Sequence, residues 1–156
     1  MTAALLIFPH QLFLEHPGLT PKPQRVGLIE HPLFFGDAHV AIRFHQQKLW
    51  YHRATMMRYA DTLRQRDLHV DYIEHRSSAQ PMRDYIQTLA ASGVQGLIMT
   101  DPHDYLLDKR VRACCAAAGL QLQVLPTPQF INTSAQNGDY RAGKKRWFMA
   151  DFYKHQ

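Results

Sequence analysis

The chain has 156 residues, 46% of them hydrophobic, and its 18 lysines and arginines exceed its 13 aspartates and glutamates to give a net charge of +5. That is the size of one ordinary domain, able to bury roughly two thirds of the surface its unfolded chain exposes. The basic excess is spread along the sequence, so contact with phosphates is permitted but no nucleic-acid patch is marked out.

The first eight residues lack a basic start and their apolar run stops at Pro9, which makes them a strand rather than a signal peptide. No apolar stretch approaches the roughly 20 residues of a membrane span. Cys114 and Cys115 are adjacent; a bridge between neighbours is disfavoured and two thiolates are too few for a zinc site. The expectation is a soluble, cytoplasmic protein.

Short apolar runs alternate with helical patterns, the mark of successive βα units and a parallel sheet. Strands are expected over residues 4–8, 25–30, 69–74, 96–100 and 120–125. The first, second and fourth are continuously apolar, as strands covered on both faces must be, whereas the third and fifth carry polar interruptions suited to sheet edges. The spatial order is therefore 3-2-1-4-5, a Rossmann-like three-layer α/β sandwich.

The strongest helix spans about residues 45–65, with Leu49, Trp50, Met56, Met57, Ala60 and Leu63 as its core face. A second begins near Ala79, uses Met82, Tyr85, Ile86 and Leu89, and stops at Gly93. A third starts at residues 101–104, with an aspartate cap and Pro102 at its first position, and ends at Gly119. Residues 134–143 read as a polar, glycine-containing loop, and 144–153 as the start of a helix. The aromatic load of Trp147, Phe148, Phe152 and Tyr153 predicts that the natural protein continues beyond it; the alternative is a terminal helix docked on the sheet. The division is thus an α/β domain over 1–134 and a linker with a helix start over 135–156.

Ligands of open parallel sheets bind beyond the carboxyl ends of the strands, where strand order reverses. Pro9, His10 and Gln11 arrive there from the first strand, Glu30 and His31 from the second, and Asp101, Pro102 and His103 from the fourth. The turn after the first strand holds no glycine, which argues against a dinucleotide site. The 10 histidines contain no His-x-x-x-His pair, and His45 and His52 stand about 10 Å apart along a helix, too far to share a metal. His45, Lys48 and His52 fall on one side of the first long helix, either as a row that could receive an anionic or carbonyl-rich ring or as a solvated face. No serine sits in a nucleophile elbow, and the cysteine pair reads as small core residues.

Three segments together resemble a known family. Leu6-Ile7-Phe8-Pro9-His10-Gln11-Leu12, then Ile29-Glu30-His31-Pro32-Leu33-Phe34-Phe35-Gly36-Asp37 with Phe44-His45-Gln46-Gln47-Lys48-Leu49, and finally Lys145-Arg146-Trp147-Phe148-Met149-Ala150-Asp151-Phe152-Tyr153 are similar to the N-terminal part of bacterial photolyase-related proteins, the iron-sulfur bacterial cryptochromes and photolyases. The resemblance implies a light-dependent DNA repair or blue-light sensing protein. Its α/β domain would hold an antenna pigment, typically 6,7-dimethyl-8-ribityllumazine. A separate C-terminal helical domain, reached through residues 135–156, would bind FAD, carry an iron-sulfur cluster and face DNA. This stretch supplies neither flavin pocket nor cluster cysteines, so no repair by it alone is expected. The resemblance carries over Gln11, Glu30 with its neighbour His31, and Lys48 as pigment-binding residues; His10 of the rim and His45 of the helix row complete the expected site. Where many members have Gly-Asp before the glutamine this chain has Pro9-His10, which implies that the pigment is held differently or not held. Two other classes are consistent with the residues: a stand-alone nucleotide-binding, stress-protein-like module, and an interaction domain acting through the Trp147 to Tyr153 surface.

Overall fold

A computed structural model describes residues 2–37, 43–76, 80–146 and 148–155. Leu5, Leu6, Ile7, Val26, Leu28, Ile29, Leu97, Ile98 and Met99 are all buried, so side chains on both faces of their strands leave water. Only a sheet covered on two sides satisfies such runs. They lie in β1 (Ala3–Ile7), β2 (Arg25–Ile29) and β4 (Gly96–Thr100), with β3 (Val70–Ile73) and β5 (Gln121–Leu125) at the edges. All four pairings are parallel and the order is β3-β2-β1-β4-β5, as expected.

Alternation along the strands divides the core in two. Ala4, Leu6 and Phe8 face α3 (Pro81–Ala91) and α4 (Tyr105–Ala118) through Met82, Ile86, Leu89, Leu107 and Val111. Leu5, Ile7, Val26 and Leu28 face α2 (Gln46–Arg64) through Met56, Ala60 and Leu63. Gly27 is required by close approach: a Cβ there would stand 2.4 Å from the Tyr85 ring. The one-turn helix α1 (Pro32–Phe35) follows β2 and brings Phe34 and Phe35 to the carboxyl rim.

The expected long helices need two corrections. Trp50 and Met57 are 76% and 52% exposed, not core; each directly follows or neighbours a core position, and one step of about 100° carries it off the buried stripe. The third long helix is capped by Asp104, whose carboxylate accepts from Leu107 N at 2.8 Å, so it starts at Tyr105 and leaves Pro102 outside. From this start Leu107, Val111 and Cys115 recur every four residues as the buried stripe of α4. Gly93 (φ 88°) and Gly119 (φ 69°) follow α3 and end α4 in the left-handed conformation, as read from the sequence. The start expected near Ala79 lies outside the described residues.

The chain divides into two compact units, Met1–Leu125 and Pro126–Gln156. The second contains α5 (Ser134–Arg141) and α6 (Met149–His155). The stretch expected to be a loop is thus partly helical, started by a capping box in which Thr133 and Gln136 bond each other's backbone N–H groups. Tyr140 is buried there, edge-on to Phe152 with ring centroids 5.0 Å apart. Trp147 lies outside the described residues. No helix among the described residues is long and apolar enough to cross a membrane.

Candidate functional site

The turn after β1 is tied to the end of β4. Gln11 is fully buried, and its amide Nε2 donates to Thr100 O at 2.8 Å and to Asp101 O at 3.4 Å. The Gln11 side chain therefore occupies the crevice at which strand order reverses. Its Oε1 and the Thr100 hydroxyl are buried without a partner among the described residues. His10 Nε2 lies 3.1 Å from Pro102 O, so this nitrogen carries the proton, and the imidazole stacks on Phe34 at 4.9 Å. Burial lowers the His10 pKa and keeps the ring neutral.

Glu30 closes β2 as the centre of a polar network. Its carboxylate is fully buried and accepts from Arg53 Nε (2.7 Å) and Nη2 (2.5 Å), Tyr72 OH (2.7 Å) and His75 N (2.9 Å). Burial pushes its pKa up, but these four donors outweigh burial and the net direction is down. The network joins β2, α2 and β3. His31 is buried as the cap of α1, its Nδ1 accepting from Leu33 N at 3.2 Å. Burial first, and the nearby Arg110 charge second, bring its pKa down to about 4. Arg110 on α4 pairs with Asp37.

His45 caps α2, with Nδ1 accepting from Gln47 N at 3.2 Å, instead of standing in a row on the helix. Lys48 places its ammonium 4.2 Å from the centroid of the Phe44 ring. Both are exposed. His52 of the same expected row lies elsewhere: with His10 it lines a groove of about 680 Å³ between the β1 turn and α2. Pro9, His10, Leu12 and Phe13 form one wall; Tyr51, His52, Thr55, Arg58, Tyr59 and Thr62 form the other. Tyr59 OH donates to Phe13 O at 2.7 Å and joins the walls, and burial pushes its pKa up to about 12. His52 is lowered by burial and then by Lys48, so both imidazoles of the groove are neutral.

Of the six residues expected to hold the pigment, only His10 lines this groove, where it is joined by Pro9 of the expected rim and His52 of the expected row. Gln11, Glu30 and His31 are buried and bonded within the fold, and His45 and Lys48 are outside the lining. Apart from His52, the α2 wall is not among the residues expected from the sequence, although Tyr51, Thr55, Arg58 and Thr62 recur at spacings of four, three and four, a second stripe beside the core one. Among the described residues no three histidine, cysteine, aspartate or glutamate side chains are placed to hold a metal. Cys115 is buried in α4 and burial pushes its thiol up to about 11, consistent with a packing residue.

Comparison with known proteins places this geometry in a family. The profile described as deoxyribodipyrimidine photo-lyase-related protein matches residues 5–156. An uncharacterized protein of Acanthamoeba polyphaga mimivirus is 30% identical over 155 residues, covering 95% of this chain and 78% of the viral protein. The chain belongs to the deoxyribodipyrimidine photo-lyase-related protein family.

Proposed function

We propose that this chain is the pigment-holding α/β domain of a photolyase-related protein, with the antenna pigment seated in the groove between the β1 turn and α2. The observation that carries this reading is the groove itself: about 680 Å³ beside the carboxyl end of β1, a size that suits a small molecule.

The side chains suit a planar heterocycle with a polyol tail, such as 6,7-dimethyl-8-ribityllumazine. His10 and His52 are neutral rings that can face a π-system and still offer a hydrogen bond. Tyr51, 63% exposed, adds an aromatic edge. The Thr55 hydroxyl donates to Tyr51 O (2.9 Å) and the Thr62 hydroxyl to Arg58 O (3.0 Å), so both oxygens keep lone pairs for the hydroxyls of a tail. Gln11 and Glu30 act as positioning residues: one clamps the β1 turn to β4, the other fixes α2 through Arg53. A bound pigment would absorb light and pass excitation to an FAD in a C-terminal helical domain that also carries an iron-sulfur cluster and meets DNA, for repair or blue-light sensing. The work of this chain is to orient the pigment and to keep water from one side of it. A nucleotide module that binds its phosphate at the β1–β4 switch point is disfavoured by Gln11, whose side chain fills that crevice.

Titration of the purified chain with the lumazine, followed by its fluorescence, tests the reading. Saturable binding that weakens in a His10→Ala, His52→Ala double variant is expected. A chain that is folded by circular dichroism yet leaves the fluorescence unchanged would overturn it.

A further inference from the structure

The groove has a charge pattern that its size does not require. Its lining contains no carboxylate, its two imidazoles are neutral, and its single formal charge is the Arg58 guanidinium. Arg58 makes no side-chain hydrogen bond or ion pair among the described residues. The other arginines on α2 are occupied: Arg53 is bound to Glu30 and Arg64 to Asp61. An unpaired guanidinium beside a neutral, partly apolar cleft is the arrangement that recognises an anion, and its planar fork matches a phosphate.

Position adds to chemistry. His52 and Arg58 lie six residues apart on one helix, about 9 Å along the axis. A ring at the His10–His52 end would therefore send its tail past Thr55 toward Arg58. We infer that the groove is built for a pigment whose polyol tail ends in a phosphomonoester, as in a flavin mononucleotide, and that Arg58 reads that phosphate. The inference rests on the pigment reading above and departs from it in the tail, since the lumazine implied by family resemblance carries no phosphate.

Riboflavin and flavin mononucleotide share one chromophore and differ only in the phosphate. Quenching of flavin fluorescence by the purified chain should show the mononucleotide binding about tenfold tighter, a preference that shrinks with added salt. The preference should vanish in Arg58→Gln and return in part in Arg58→Lys, with circular dichroism confirming that both variants fold. Equal affinity for the two flavins, or a preference untouched by Arg58→Gln, overturns the inference while the pigment reading stands. Adenosine monophosphate and inorganic phosphate are the control ligands. Arg58-dependent binding of these with no binding of either flavin or the lumazine would overturn both.

Discussion

Acidification should destabilise the first unit well before its carboxylates titrate. His16 and His31 are 3% and 2% exposed, and each uses Nδ1 to accept a backbone N–H, from Gly18 at 3.1 Å and Leu33 at 3.2 Å. A nitrogen that accepts cannot carry a proton, so both rings must be neutral, and burial brings both pKa values down to about 4. The unfolded chain titrates them near 6.5. Between about pH 4 and 6.5 the unfolded state therefore binds more protons, so stability is complete above that window and falls as pH drops through it. At pH 5 each histidine costs about 2 kcal/mol relative to neutral pH, and the pair about 4. That is a large share of the roughly 5–15 kcal/mol typical of a domain. Urea unfolding followed by circular dichroism at pH 7 and pH 5 measures the loss directly. His31→Asn keeps a capping acceptor without the titration and should remove about half of it. Stability that stays flat from pH 7 to pH 5, or ring pKa values near 6.5 by NMR in the folded chain, would refute the reasoning.

Other perturbations follow from single contacts. Glu30→Ala leaves Arg53, Tyr72 OH and His75 N without their acceptor and should lower unfolding free energy by about 2–3 kcal/mol, discounted because Arg53 is half exposed. Gly27→Ala puts a methyl 2.4 Å from the ring of Tyr85, whose hydroxyl donates to Asp71 at 2.8 Å; a loss of about 1–3 kcal/mol in denaturant melts is expected, and an unchanged midpoint would contradict the packing. Gln11→Ala removes the clamp onto Thr100 O and should cost about 1–2 kcal/mol together with weaker lumazine binding, read in the same titration.

The sheet was legible because its central strands are continuous apolar runs, a pattern only two-sided burial tolerates, and because Gly93 and Gly119 mark where α3 and α4 stop. The α2 register was less so. Met56, Ala60 and Leu63 form the buried stripe with Leu49 packed against it, but Trp50 and Met57 are also apolar and stand one position from Leu49 and Met56, and only the docked helix separates them. The start of α4 offered two aspartates three residues apart; Asp104 caps the helix through Leu107 N, while Asp101 accepts from His103 N in the turn before it. For α5 the signal is Thr133-x-x-Gln136, a capping box embedded in a polar, glycine-containing stretch. The rim residues His10, Gln11, Glu30 and His31 were placed at the correct strand ends by topology alone. Their partners were not visible: Glu30 meets Arg53 and Tyr72 at separations of 23 and 42 residues, and Gln11 meets Thr100 at 89. No local pattern in the sequence encodes such pairings, which is why residues that looked free to hold a ligand turn out bonded within the fold.

The central claim is that the groove between the β1 turn and α2 holds a fused-ring pigment. Heteronuclear NMR of the labelled chain, titrated with 6,7-dimethyl-8-ribityllumazine and with flavin mononucleotide, tests it most directly. The account predicts shifts concentrated on His10, Phe13, Tyr51, His52, Thr55 and Tyr59, with His45 and Lys48 little changed. Shifts centred on the α2 start, or none at saturating pigment, would contradict it.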